Sequence, residues 1–155
     1  MTYCAALKMN DRLIFMSDTR TNAGVDNISK YRKMFTWSVP GERVITLMTA
    51  GNLATTQSVV SLLDERSKAP EERDPTLLQV PTLFQAARLI GETLAEVVSS
   101  HAEEGQKAEA SFGATLIMGG QIMGMEPRLF MIYAEGNFVE ASSETPFFQI
   151  GETKY

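Results

Sequence analysis

Cysteine is nearly absent from this chain. Cys4 is the only one in 155 residues, so no disulfide can close within the chain. Histidine is as scarce, with His101 alone. No spacing of histidine, cysteine and carboxylates suits a metal, and no glycine loop suits a phosphate, so neither metal nor cofactor is expected. A basic excess is missing too: 14 lysines and arginines stand against 19 acidic residues, a formal charge of -5. That balance argues against a nucleic-acid partner. No apolar run is long enough to span a bilayer, and the first residues lack the basic-then-apolar layout of a signal peptide. These absences together point to the cytoplasm. Repeats and low-complexity tracts are lacking as well.

What is present is an ordinary globular balance, 44% hydrophobic and 21% charged residues. The length fits a single domain over 1–155 with a real core. Residues 2–7 and 12–18 read as strands around the turn "MND", a hairpin signal. "TRTNAGVDN" reads as a loop. Residues 33–38 and 43–49 read as two more strands around "VPGE". From 52 to 66 the apolar spacing turns helical. A connector with Pro70, Pro75 and Pro81 cannot be one continuous helix. Thr82 and Gln85 have the spacing of a capping box, and Leu83, Ala86, Ala87, Ile90, Leu94, Val97 and Val98 then draw one helical stripe. "EEG" at 103–105 ends it. Residues 111–118, 128–133, 138–141 and 147–150 read as strands, with "AEGN" as a tight turn. Four strands, two helices and four strands suggest an α+β fold, a four-layer αββα sandwich of two antiparallel sheets between helices. Helices to cover the second sheet are not in the sequence.

Three polar positions bear on chemistry. By period two, Asp18 shares a face with Ile14 and Met16, and Lys33 with Phe35 and Trp37. A lone charge on an apolar face is costly unless paired, so an Asp18–Lys33 pair is the economical arrangement. Strand-end charges also simply reach solvent, and that reading stays open. "TAGNLATT" carries a strand through Gly51 into a helix start, where backbone N–H groups can meet developing negative charge. It also reads as a plain strand-to-helix turn. Thr2, directly after Met1, becomes a nucleophile with its own base if Met1 is removed. A free α-amine titrates near about 7.7 to 8.0, and threonine with its own amine is a recognised nucleophile–base pair.

"MTYCAAL", "SDTRTNAG", "YRKM" and "TAGNLATT" together resemble the bacterial proteasome-type ancestral beta-subunit homologues (Anbu). More broadly they resemble proteasome β-subunits and their bacterial heat-shock relatives, all N-terminal nucleophile hydrolases. The likeness runs through the whole chain to "QIGETKY". It implies removal of Met1, Thr2 as nucleophile, Asp18 and Lys33 as its charged partners, and Gly51 as oxyanion donor. It further implies Asn22, Thr49 and Leu53 as substrate-binding residues, and identical subunits assembled in a ring or open spiral. Asn22 stands where proteasome β-subunits usually carry a threonine, so that contact is altered. The family continues past "GETKY", with a second acidic residue and a serine near the nucleophile, so either this chain is a truncated view of the fold or its site is incomplete; truncation is expected, because an uncovered sheet would expose a large apolar face.

Blander assignments cover the rest. Cys4 reads as a small buried hydrophobe, His101 as a surface residue, and Met118, Met123, Met125 and Met131 as core fillers. "EERD" at 71–74 reads as a solvated connector. The expected function is a threonine peptidase acting on peptides or unfolded chains inside a homo-oligomer, with no named unfoldase. Two alternatives stand beside it: a related hydrolase of small amides, and a self-assembling scaffold without turnover.

Overall fold

A computed structural model describes residues 2–22, 28–68, 75–102 and 112–152. Pro70, "EERD" at 71–74 and "EEG" at 103–105 lie outside these residues. Strands β1 (Cys4–Lys8) and β2 (Leu13–Ser17) form the expected hairpin, closed where Met9 N–H donates to the Arg12 carbonyl at 2.8 Å. Part of the stretch read as a loop is strand: β3 (Arg20–Asn22) pairs antiparallel with β4 (Ile28–Lys30) in a two-stranded ribbon. Turn-forming residues between the strands hid this hairpin, because the strands themselves are only three residues each.

β5 (Met34–Val39) and β6 (Arg43–Gly51) follow, then helices α1 (Leu53–Lys68) and α2 (Leu83–Ala102). β7 (Ala114–Ile122), β8 (Arg128–Ile132), β9 (Phe138–Glu140) and β10 (Phe147–Ile150) complete the order. β7 runs four residues past the expected end, through Gly119 and Gly120. Space requires glycine at 120, where an added Cβ would meet backbone, while at 119 it would meet only side-chain ends. A Cβ at Gly119 would lie 2.7 Å from the Phe15 ring, and one at Gly120 would lie 2.5 Å from the Val44 carbonyl oxygen.

Among the described residues all strand pairings are antiparallel. One sheet has the order β5-β6-β7-β8-β9, and a second has the order β10-β1-β2. Both helices pack on the larger sheet. The α2 stripe is buried from Leu83 through Ala86, Ala87, Ile90, Leu94 and Val97 to Val98. Each of its large aliphatic side chains contributes about 1.5–3 kcal/mol. Thr82 caps α2, accepting the Gln85 N–H at 3.2 Å, and Asn52 caps α1, accepting the Thr55 N–H at 3.0 Å. Arg43 ties the connector down, donating to the Leu77 and Val80 carbonyls at 3.2 and 2.6 Å.

The two sheets meet in a smaller core of Cys4, Ala6, Met48, Ala50, Ile117, Leu129, Ala141 and Ile150. The described residues therefore form three layers: helices, five-stranded sheet, three-stranded sheet. The face of β2 expected to be apolar and buried points the other way. Ile14 and Met16 are exposed, while Leu13 and Phe15 pack inward. Leu7 is exposed between its two cross-strand partners, Ile14 on β2 and Phe147 on β10, both exposed as well. Two further assignments need correction. Met118 lies in the core beneath the helices and Met131 packs against the smaller core between the sheets, but Met123 and Met125 stand exposed on the β7–β8 turn. His101 is half-buried, its ring edge-on to Phe112 at 5.0 Å. Among the described residues no helix is long and apolar enough to cross a membrane.

Candidate active site

The register of the β1–β2 hairpin carries the start of the chain to the end of β2. Asp18 N–H donates to the Tyr3 carbonyl at 3.0 Å, and Asp18 Oδ1 accepts the Tyr3 N–H at 3.0 Å. The residue after Thr2 is thus clamped in both directions by Asp18. The same Oδ1 accepts from Lys33 Nζ at 2.8 Å, and Nζ donates also to the Arg20 carbonyl. Lys33 precedes β5 and its side chain is only 6% exposed, against 34% for Asp18. A buried ammonium requires this much partnering, since desolvation without it costs several kcal/mol. Burial works to raise the Asp18 pKa. The hydrogen bond from Lys33, that from Tyr3 N–H and the Lys33 charge together outweigh it and hold the carboxyl below its usual range.

The structure thus brings Asp18 and Lys33 together, though not by the face argument: Asp18 lies just beyond β2, whose Ile14 and Met16 face is exposed. Thr2 and Gly51 line one cleft of about 610 Å³, with Ala50, Tyr133, Gly151 and Glu152 among its walls. Gly51 ends β6 at φ +120°, where a Cβ would come within 2.6 Å of the Gly113 carbonyl oxygen. Only glycine fits that backbone and that space. Asp18, Lys33, Thr49 and Leu53 do not line this cleft. Thr49 is buried in β6, its N–H donating to the Lys33 carbonyl at 2.9 Å. Leu53 opens α1, half-buried. The backbone of Asn22 pairs with Ile28, and its side chain lies outside the described residues.

Cys4 is fully buried and its Sγ faces the Thr49 carbonyl at 3.8 Å. Burial pushes the thiol up to about 12; the Lys33 charge pulls it down and the Asp18 charge pushes it up, both less strongly. A thiol in that state is a poor nucleophile. Two contacts escaped the sequence reading. Tyr3 Oη donates to Gln149 Oε1 at 3.0 Å, and Gly151, at φ +112°, lies against the Thr2 carbonyl. The signal for the second was the lone glycine closing a strand in "QIGE".

No protein-family model matches the chain, and no curated protein matches it. Solved structures do. The chain is similar to Anbu (ancestral beta-subunit) from Yersinia bercovieri at 49% identity and a TM-score of 0.90, covering 99% of this chain and 62% of that one. Anbu from Hyphomicrobium sp. strain MC1 gives 48% and 0.84, over 99% of this chain and 62% of that one. The Pseudomonas aeruginosa protein, described as a helical assembly of the Anbu complex, gives 44% and 0.86 over the same shares, 99% and 62%. The chain spans about three-fifths of the length of these relatives. With identities of 41–49% over nearly all of its residues, this chain belongs to the Anbu, or ancestral beta-subunit, family.

Proposed function

We propose that this chain carries the nucleophile of a threonine-type N-terminal nucleophile hydrolase that cleaves peptide bonds in a cytoplasmic homo-oligomer. The observation that carries the reading is the buried Lys33, held by Asp18, whose same oxygen grips the amide next to Thr2. Once Met1 is removed, the Thr2 α-amine takes the proton as Thr2 Oγ attacks the substrate carbonyl carbon. The carbonyl oxygen gains the negative charge, and the Gly51 N–H stabilises it. Collapse breaks the C–N bond, and the leaving amine receives the proton from the α-amine. Water, activated by the same amine, then hydrolyses the Thr2 ester and restores the hydroxyl. Lys33 lowers the cost of negative charge near Thr2, and Asp18 keeps its ammonium oriented. Asn22, Thr49 and Leu53 are proposed to bind substrate.

Assembly is proposed from the helical assembly described for the Pseudomonas aeruginosa protein: identical subunits in a ring or spiral. The exposed apolar face of Leu7, Ile14, Met16 and Phe147 supports the four-layer αββα arrangement of one β-subunit-type domain, with a further layer over that face. A second reading, hydrolysis of small amides, draws support from the cleft of about 610 Å³, within the range of about 300–1,000 Å³ usual for small-molecule sites.

A panel of chromogenic peptides and small amides tests both. Thr2→Ala should abolish hydrolysis, and Thr2→Ser should keep part of it. The loss for a nucleophile deletion is expected to reach about 10⁶-fold. Hydrolysis that survives in Thr2→Ala would refute the assignment, and turnover confined to small amides would select the second reading.

A further inference from the structure

The end of β10 presses on the residue proposed as nucleophile. Gly151 follows the strand at φ +112°, and a Cβ added there would overlap the Thr2 carbonyl oxygen and lie 2.6 Å from its carbonyl carbon. It would also come within 3.3 Å of Tyr3 Cα. Two residues earlier, Gln149 accepts the Tyr3 hydroxyl at 3.0 Å. Ile150 between them is paired with Cys4 and buried with it. One strand end therefore meets three successive residues: the Thr2 backbone, the Tyr3 phenol and Cys4. From the other flank, Asp18 holds both the N–H and the carbonyl of Tyr3.

The geometry points to Gly151 as a positioning residue for Thr2, assisted by Gln149 through the Tyr3 phenol. Asp18 fixes the direction of the chain at Tyr3. Gly151 fixes how far the Thr2 carbonyl, and with it the hydroxyl-bearing Cα, can move toward β10. Any side chain at 151 displaces Thr2, because backbone atoms, unlike a flexible side-chain end, cannot step aside. A shift of about 1 Å at a reacting group costs on the order of 10²-fold in rate. The catalytic consequence rests on the proposed role of Thr2; the placement of Thr2 does not.

The test compares Gly151→Ala with Gly124→Ala in the intact protein. Gly124 has a similar backbone, φ +78°, with nothing within 4 Å of an added Cβ, so it reads out backbone strain alone. Tyr3→Phe removes only the bond to Gln149. Two quantities are measured: the rate at which a β-lactone labels Thr2, by intact mass, and hydrogen exchange at the Tyr3 amide, with β6 and β7 amides as reference. Gly151→Ala should slow labelling at least about tenfold and speed Tyr3 exchange, with β6 and β7 protection kept. Gly124→Ala should change neither, and Tyr3→Phe should shift both in the same direction but less. Unchanged labelling and unchanged Tyr3 exchange in Gly151→Ala would overturn the inference. If that variant does not fold, unchanged values in Tyr3→Phe overturn it. A wild-type protein that is never labelled, but whose Tyr3 exchange responds to Gly151→Ala, refutes the nucleophile and supports the positioning.

Discussion

The Asp18–Lys33 pair is asymmetric, and removing each partner should therefore cost differently. Lys33 is 6% exposed and Asp18 34% exposed at a separation of 2.8 Å. Asp18→Asn leaves a buried ammonium with a weaker partner, although the Arg20 carbonyl remains. The cost is expected at about 2–3 kcal/mol, the upper part of the range for an under-satisfied buried group. It stays under the 3–5 kcal/mol of a fully buried broken pair, because water reaches the Asp18 side. Lys33→Met removes the buried charge and refills the volume. It leaves a carboxylate that water and the Tyr3 N–H still solvate, so about 1 kcal/mol or less is expected. The double variant should lie near Lys33→Met alone, so the coupling should match the Asp18→Asn cost, about 2–3 kcal/mol in magnitude. Urea unfolding at neutral pH reads all three, provided the slope m stays constant. Equal costs, a reversed order or simple additivity would refute the claim that Lys33 is the buried member whose charge needs Asp18.

Asp18 is held below its ordinary value of 3.8, so its pairing contributes stability that is complete above that value and is lost as pH falls through the lower folded-state value. Acid unfolding curves should therefore steepen below about pH 4, and less so in Asp18→Asn; identical slopes would contradict the shift. Gly51→Ala should destabilise by more than the about 1–3 kcal/mol of backbone strain alone, because its Cβ also meets Gly113 and Ala114, whereas Gly41→Ala, with open space around it, should show strain only; thermal melts compare them. Cys4, buried with its thiol pushed up to about 12, should react with a thiol reagent only as fast as the protein unfolds, and rapid native-state alkylation would contradict its placement.

Long periodic signals were legible in the sequence. The α2 stripe, its Thr82 cap and the turns "MND" and "AEGN" each rest on residues adjacent in the chain, and all lie where the spacing puts them. The Asp18–Lys33 pair is legible as chemistry, but alternation along β2 does not account for it. Alternation tells which residues share a face of β2, not which face meets the core, and Ile14 and Met16 turned out to face outward. The β3–β4 ribbon was hidden because three-residue strands carry too little pattern. The continuation of β7 through Gly119 and Gly120 depends on Phe15, Leu129 and Val44, which come from other strands and leave no local trace. The same holds at the site: Gly151 meets Thr2 across nearly the whole chain, a contact that only the register of β1 on β10 creates.

The most direct measurement is an intact mass of the purified protein, before and after treatment with a β-lactone, for wild type and Thr2→Ala. The wild-type mass should lack Met1 and gain one lactone adduct that peptide mapping places on Thr2, with no adduct in Thr2→Ala. A mass that retains Met1 would leave Thr2 without a free amine and contradict the account, as would an adduct that persists in Thr2→Ala.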